Sequence, residues 1–174
     1  IDRHGQASKA YSFDGVDDYI EVPYNSTLNG AKSSYTLWCR VDALSSDWAS
    51  PLTTRQSPPK GGFAVYKSKD NNFWQLMICR QNNSWSIQES TIPVVQGNWV
   101  FISVTIDAPN ANFFVDGVLA QNFSDLALNT LSPMYFGAGA TEVASPRQYY
   151  FNGLIDDVRI YDRALSATEV SALY

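Results

Sequence analysis

Trp38 and Arg40 stand two residues apart in a run that alternates. Tyr35, Leu37, Cys39 and Val41 share one side, and Thr36, Trp38 and Arg40 share the other. Read as a strand with its apolar side in a core, the run turns an indole and a guanidinium outward. The face of an indole stacks on the apolar C–H face of a sugar ring. A guanidinium beside it donates paired hydrogen bonds to hydroxyls or to a carboxylate. An outward indole otherwise needs cover, so a second reading, Trp38 packed beneath a crossing segment, stays open. Trp48, in the polar stretch Ser45-Ser46-Asp47-Trp48, is a further candidate for a ligand-facing ring. Trp85 alternates with Ile87 and suits either a core or a ligand. Trp74 shares a face with Leu76 and Ile78 and reads as core. Arg80 belongs with Arg40, Arg55, Lys60, Lys67 and Lys69 to a basic middle third of the chain. Gathered on one face these would suit an acidic polysaccharide; scattered, they are an ordinary solvated surface. The candidate ligand-binding set is therefore Trp38, Arg40, Trp48, Trp85 and Arg80.

Catalysis finds little support. Glycoside hydrolysis needs two carboxyl groups about 5–9.5 Å apart across one sugar. Glu21, Glu89, Glu142 and Glu169 are scattered, and the single histidine, His4, lies near the start. A histidine-based triad or lyase centre is not expected, and the domain reads as no enzyme. The formal net charge of −5 disfavours nucleic acid and anionic membranes, because affinity for phosphates comes from Lys and Arg. No apolar run is long enough to span a bilayer. Cys39 and Cys79 have no metal-ligand spacing. They read as two small buried residues, or as a disulfide suited to a secreted protein.

The elements that must position these groups are strands. Val100, Ile102, Val104 and Ile106 alternate as the Tyr35–Val41 run does. Short candidate strands recur at Tyr11–Phe13, Tyr19–Val22, Ala49–Thr54, Phe63–Lys67, Phe73–Arg80, Ser84–Glu89, Asn112–Val115, Met134–Gly137 and Ile155–Tyr161. Turn pairs such as Asp14-Gly15, Gly61-Gly62, Asn82-Asn83, Asp116-Gly117 and Asn152-Gly153 punctuate them. Asp116-Gly117 predicts a tight hairpin of the type that needs positive φ at both central residues. This spacing means an all-β sandwich or barrel. One short helix is predicted at the end, opened by the capping box Ser166-Ala167-Thr168-Glu169. A chain of 174 residues fits one domain, residues 1–174, and buries about 70% of its unfolded surface. It opens on Ile1 without a methionine and is expected to be a fragment of a larger multidomain protein.

Three segments carry a family likeness: Ala10 to Pro23, with Phe13-Asp14-Gly15 and Asp17-Asp18-Tyr19; Asn98-Trp99-Val100 followed by Phe113-Phe114-Val115-Asp116-Gly117; and Phe151-Asn152-Gly153-Leu154-Ile155-Asp156-Asp157 through Ser166. In order and spacing they resemble the bacterial laminin-G-like, concanavalin A-like domains over nearly the whole chain. The resemblance implies a two-sheet antiparallel jelly-roll β-sandwich with one short C-terminal helix. It also implies a core position for Trp99, and a secreted or cell-surface setting as a binding module. The run of alternating acidic residues that marks the glucanase branch is missing. Many members hold a structural calcium. In a jelly roll the end segments become neighbours, so Asp14 and Asp156 are expected to converge as ligands for Ca2+, with Asp156 turned inward like Val158 and Ile160. Hydrogen-bonded turn carboxylates are the alternative. The family usually carries an earlier strand, upstream of the Asp2 region, that is missing or trimmed here, so a sheet edge is expected to be bare or filled by something else. The expected function is non-catalytic binding of a polysaccharide or glycan. The alternative is a protein-interaction or adhesion domain with a protein partner.

Overall fold

The computed structural model describes residues 1–55, 57–140 and 147–174. Glu142 and most of the 140–148 loop lie outside the described residues, as does the side chain of Glu89. Among the described residues, twelve strands follow in chain order: β1 (Tyr11–Asp14), β2 (Ile20–Val22), β3 (Lys32–Val41), β4 (Ala49–Thr53), β5 (Phe63–Lys67), β6 (Phe73–Cys79), β7 (Trp85–Pro93), β8 (Trp99–Asp107), β9 (Asn110–Val115), β10 (Val118–Phe123), β11 (Met134–Phe136) and β12 (Asn152–Tyr161). A helix, α1 (Ala167–Leu173), closes the chain. The strands form two six-stranded antiparallel sheets, ordered β1-β12-β3-β8-β9-β10 and β2-β11-β4-β5-β6-β7. This is the two-sheet sandwich that the alternation and the family likeness imply.

The core forms because the apolar phase of each strand faces the opposite sheet. From the first sheet come Leu37, Cys39 and Val41, then Ile102 and Val104. From the second come Phe63, Val65, Trp74, Leu76 and Ile78. Tyr35 meets Phe63 edge to face across the interface, ring centroids 5.2 Å apart, and donates its hydroxyl to Leu28 O at 2.7 Å. Cys39 and Cys79 are both buried and form no disulfide with each other, and burial pushes the Cys39 thiol well up.

Local chemistry sets the turns and ends. Asp116 (φ 50°) and Gly117 (φ 76°) link β9 to β10 in the predicted conformation. The Asp116 carboxylate accepts from Phe101 N at 2.8 Å and pins the hairpin to β8. Asn152-Gly153, read from sequence as a turn, instead begins β12. Gly153 sits there because a Cβ would lie 1.9 Å from Arg40 O. At α1 the capping box is complete: Ser166 Oγ accepts from Glu169 N and the Glu169 carboxylate accepts from Ser166 N. Val170 then buries its side chain against Phe101, Phe114 and Leu165 on the outer face of the first sheet. The segment leading into α1 is fastened there by Ser34, whose hydroxyl donates to Arg163 O and accepts from Leu165 N. One outer face of the sandwich is therefore covered by the chain's own C-terminus.

Candidate functional site

The outer face of the second sheet carries a different surface. Strands β5, β6 and β7 give their odd or even phase to the core, and the opposite phase brings Tyr66, Met77, Trp85 and Ile87 to the outside. Met77 stands opposite Ile87, Cys79 opposite Trp85, and Tyr66 opposite Gln75. Trp48, from the segment before β4, and Tyr149, from the segment before β12, fold over this face. Each meets Tyr66 edge to face, with centroids at 5.3 and 5.7 Å. The Arg55 guanidinium lies 4.4 Å from the centre of the Trp85 ring and donates to Ala140 O at 2.7 Å. Trp48, Arg55, Tyr66, Met77, Ile87 and Tyr149 line a depression of about 150 Å³.

The polar atoms here are left wanting. Trp85 Nε1 and Gln75 Oε1 are buried without a hydrogen-bond partner. A buried donor or acceptor left unpaired costs about 1–3 kcal/mol, so these atoms favour a ligand that brings hydroxyls. Burial pushes the Tyr66 phenol up to about 12, with nearby Arg55 offsetting part of the effect; the phenol therefore remains a donor at neutral pH. Aromatic faces and a cation lining one depression, with unmet polar atoms beside it, can hold a ring that is apolar on its faces and polar at its edge.

The expected ligand-binding residues divide into three places. Trp48 and Trp85 fall together around Tyr66. Trp38 does lie on an outward strand phase, but its indole is stacked by Tyr174 (5.7 Å, 22° between planes), touched by Phe101 and overlain by Arg3 at 4.8 Å. This corrects the expectation of a solvent-facing platform: the C-terminus supplies the cover. Arg40 is committed to the Asp42 carboxylate through Nε at 2.6 Å and a second nitrogen at 3.0 Å. Arg80 pairs with Asp125 on another side of the molecule, between β7 and β10. Trp99 is half-buried beside Arg40, ring centre 5.8 Å away. It leaves the core because Val100, on the other phase, takes the inward position. Sequence reading had placed Arg55 only in the basic middle third and had not singled out Tyr66 or Tyr149. Tyr66 could have been found from the phase of Phe63 and Val65; Tyr149 is placed by the fold alone.

The metal expectation is corrected in part. Asp14 stands opposite Asn152, so Asp156 is four residues further along, about 13 Å at strand rise. The two do not converge. A bulge between Asp156 and Arg159, with Asp157 at φ 49°, also reverses the strand phase. Asp156 consequently faces outward opposite Trp38 and accepts from Arg3 N and Asp157 N, while Val158 is exposed. Asp157 pairs with Arg3 at 2.8 Å, which with Arg159 holds its carboxyl below the usual range. Asp14 is gathered instead with Asp17 and Asp18: one oxygen of each lies within 4.8 Å of the others, all exposed. Asp14 Oδ1 accepts from Val16 N at 2.7 Å, and Asp18 Oδ2 accepts from Asp14 N at 3.1 Å. That leaves one oxygen of each carboxylate for a cation that takes oxygen ligands.

A sandwich with these sheet orders and this closing helix defines a class of jelly-roll domains. The chain belongs to the concanavalin A-like lectin/glucanases superfamily, whose model matches residues 14–171. No curated protein gives a significant match. Among solved structures, the carbohydrate-binding module (CBM40) of a Ruminococcus gnavus sialidase, bound to alpha2,3-sialyllactose, matches with TM-score 0.70 and 12% identity, over 95% of this chain and 96% of that one. Domain 4 of an extracellular arabinanase from Geobacillus stearothermophilus, in complex with arabinotriose, matches with TM-score 0.69 and 19% identity, over 97% and 78%. A Trypanosoma rangeli sialidase matches with TM-score 0.74 and 16% identity over 95% of this chain, which spans 27% of that enzyme. At these identities the likeness is one of fold.

Proposed function

We propose that the chain is a non-catalytic carbohydrate-binding module, one domain of a secreted or cell-surface protein, and that it takes glycan on the outer face of its second sheet. The observation that carries the reading is the depression floored by Tyr66, flanked by Trp48, Tyr149 and Arg55, beside the Trp85 ring whose buried Nε1 lacks a partner. The fold shared with modules solved in complex with sialyllactose and arabinotriose supports it. The Arg55 guanidinium, lying over the Trp85 ring, extends the stacking surface of this face. Among the described residues, no helix is long and apolar enough to cross a membrane. The test is calorimetric titration with sialyllactose, lactose and arabinotriose, repeated on Trp85→Ala and Trp48→Ala. Binding lost in both variants supports the face; binding unchanged in both removes it.

A structural calcium belongs to the same reading. Asp14, Asp17 and Asp18 would hold it, and the ion would relieve the repulsion of three carboxylates within 4.8 Å. The expected result is a rise of several degrees in melting temperature in millimolar calcium over EDTA, absent in Asp17→Asn/Asp18→Asn. An identical melt in both media would leave these residues as ordinary turn acceptors.

A further inference from the structure

A second, larger recess lies where the two sheets meet along one side. Strand β10 ends the first sheet and β7 ends the second. Behind the recess, Gln121 ties the edges together: its Oε1 accepts from Leu76 N at 2.8 Å and its Nε2 donates to Gln88 O. In front of it the sheets part and leave a cleft of about 570 Å³, within the range of small-molecule sites. Its walls are carboxamides, Gln88, Asn110, Asn112 and Asn122, with the Arg80–Asp125 ion pair at one end. Asp107, also on the wall, is paired with Lys32 at 3.2 Å. Both charged pairs are thus neutralised within the protein, and a charged ligand meets no open counter-ion. Each amide offers a donor pair and an acceptor in one plane, a pattern met by adjacent hydroxyls, each of which donates and accepts. Among the described residues no exposed aromatic ring lines the cleft, and Phe123 gives it an apolar patch.

We propose that this cleft is a second saccharide site, selective for a neutral oligosaccharide, and chemically distinct from the aromatic, arginine-bearing sheet face. Strand β7 serves both places. Trp85 and Ile87 belong to the sheet face, and the alternate residues Ser86 and Gln88 line the cleft. A glycan chain rounding this edge could engage both sites, and two linked contacts bind more tightly than either alone.

The experiment is a nitrogen-15 NMR titration with cellohexaose, xylohexaose and arabinohexaose, following the Asn and Gln side-chain amides and the indole N–H signals. A neutral hexaose should shift the amides of Gln88, Asn112 and Asn122. In Gln88→Ala/Asn122→Ala, both exposed positions, the Asn112 shift should need about tenfold more ligand, with the backbone spectrum otherwise kept. Sialyllactose should leave these amides unmoved. Shifts confined to the Trp48 and Trp85 indoles would overturn the cleft and leave the sheet-face reading standing. Shifts confined to the cleft would support it and count against the sheet face. No amide shift with any hexaose at millimolar concentration would overturn the cleft.

Discussion

Trp38 and Trp85 are both tryptophans on outward strand phases, yet their surroundings assign them opposite work. Trp38 is sandwiched by the protein's own Tyr174 and Arg3. Trp38→Ala is expected to cost about 2–4 kcal/mol in denaturant unfolding, as truncation of a large packed ring does, and to leave glycan affinity unchanged. Trp85 has an arginine over its ring and an unpaired indole nitrogen, so its loss should show in binding. The phase of a strand is legible in sequence; what covers that phase is not, because Trp38 is covered from the two ends of the chain, by Arg3 and Tyr174. Tyr66 gives a titration to follow. Its phenol, like that of Tyr135, is pushed up to about 12, mainly by burial. A neutral form favoured by folding adds stability below the unfolded phenol value near 10, and that stability is lost as pH rises through about 12. Ultraviolet titration should show late-ionising tyrosines, one fewer in Tyr66→Phe, and the same variant should bind glycan more weakly. A Tyr66→Phe spectrum with no lost late transition would contradict the buried phenol.

The closing motif shows how far elements can be read in advance. The capping box at Ser166 was visible from residue types three apart, and the hairpin at Asp116-Gly117 from its turn pair; both stand as expected. The bulge in β12 was not visible. A bulge inserts one residue and exchanges the faces beyond it, so Ile155 and Ile160, on opposite parities, both pack toward the core. That single insertion turned Asp156 away from the expected position. The cap also predicts an acid response. Arg163, and then the Ser166 groups, depress the Glu169 carboxyl from its ordinary value to about 2. A depressed carboxyl adds stability above its unfolded pKa, near 4.5 on the ordinary scale, and that stability is lost as pH falls toward 2. In Glu169→Gln the part of acid destabilisation between those values should shrink. An unchanged acid profile would mean that the cap contributes nothing there. Ser166→Ala should cost about 1 kcal/mol in the same assay.

At the scale of the whole molecule, one outer face is closed by the chain's own α1 and the other presents aromatic side chains and Arg55. That asymmetry decides where a ligand can land. The sandwich and the helix followed from alternation, turn pairs and a cap, all local signals. The site did not, because Trp48, Tyr66, Trp85 and Tyr149 meet only when β5 and β7 join one sheet and two distant segments fold over it. For the same reason Arg40 and Arg80, grouped by their place in the chain, are separated by the fold and tied to Asp42 and Asp125.

The most direct measurement is calorimetric titration of the unmodified protein, Trp85→Ala and Trp38→Ala with the glycan that binds most tightly among sialyllactose, lactose and arabinotriose. Trp85→Ala should weaken affinity at least about tenfold, or 1.4 kcal/mol, while Trp38→Ala should bind as the unmodified protein does. Affinity that falls with Trp38→Ala and survives Trp85→Ala, or the absence of binding to all three sugars, would contradict it.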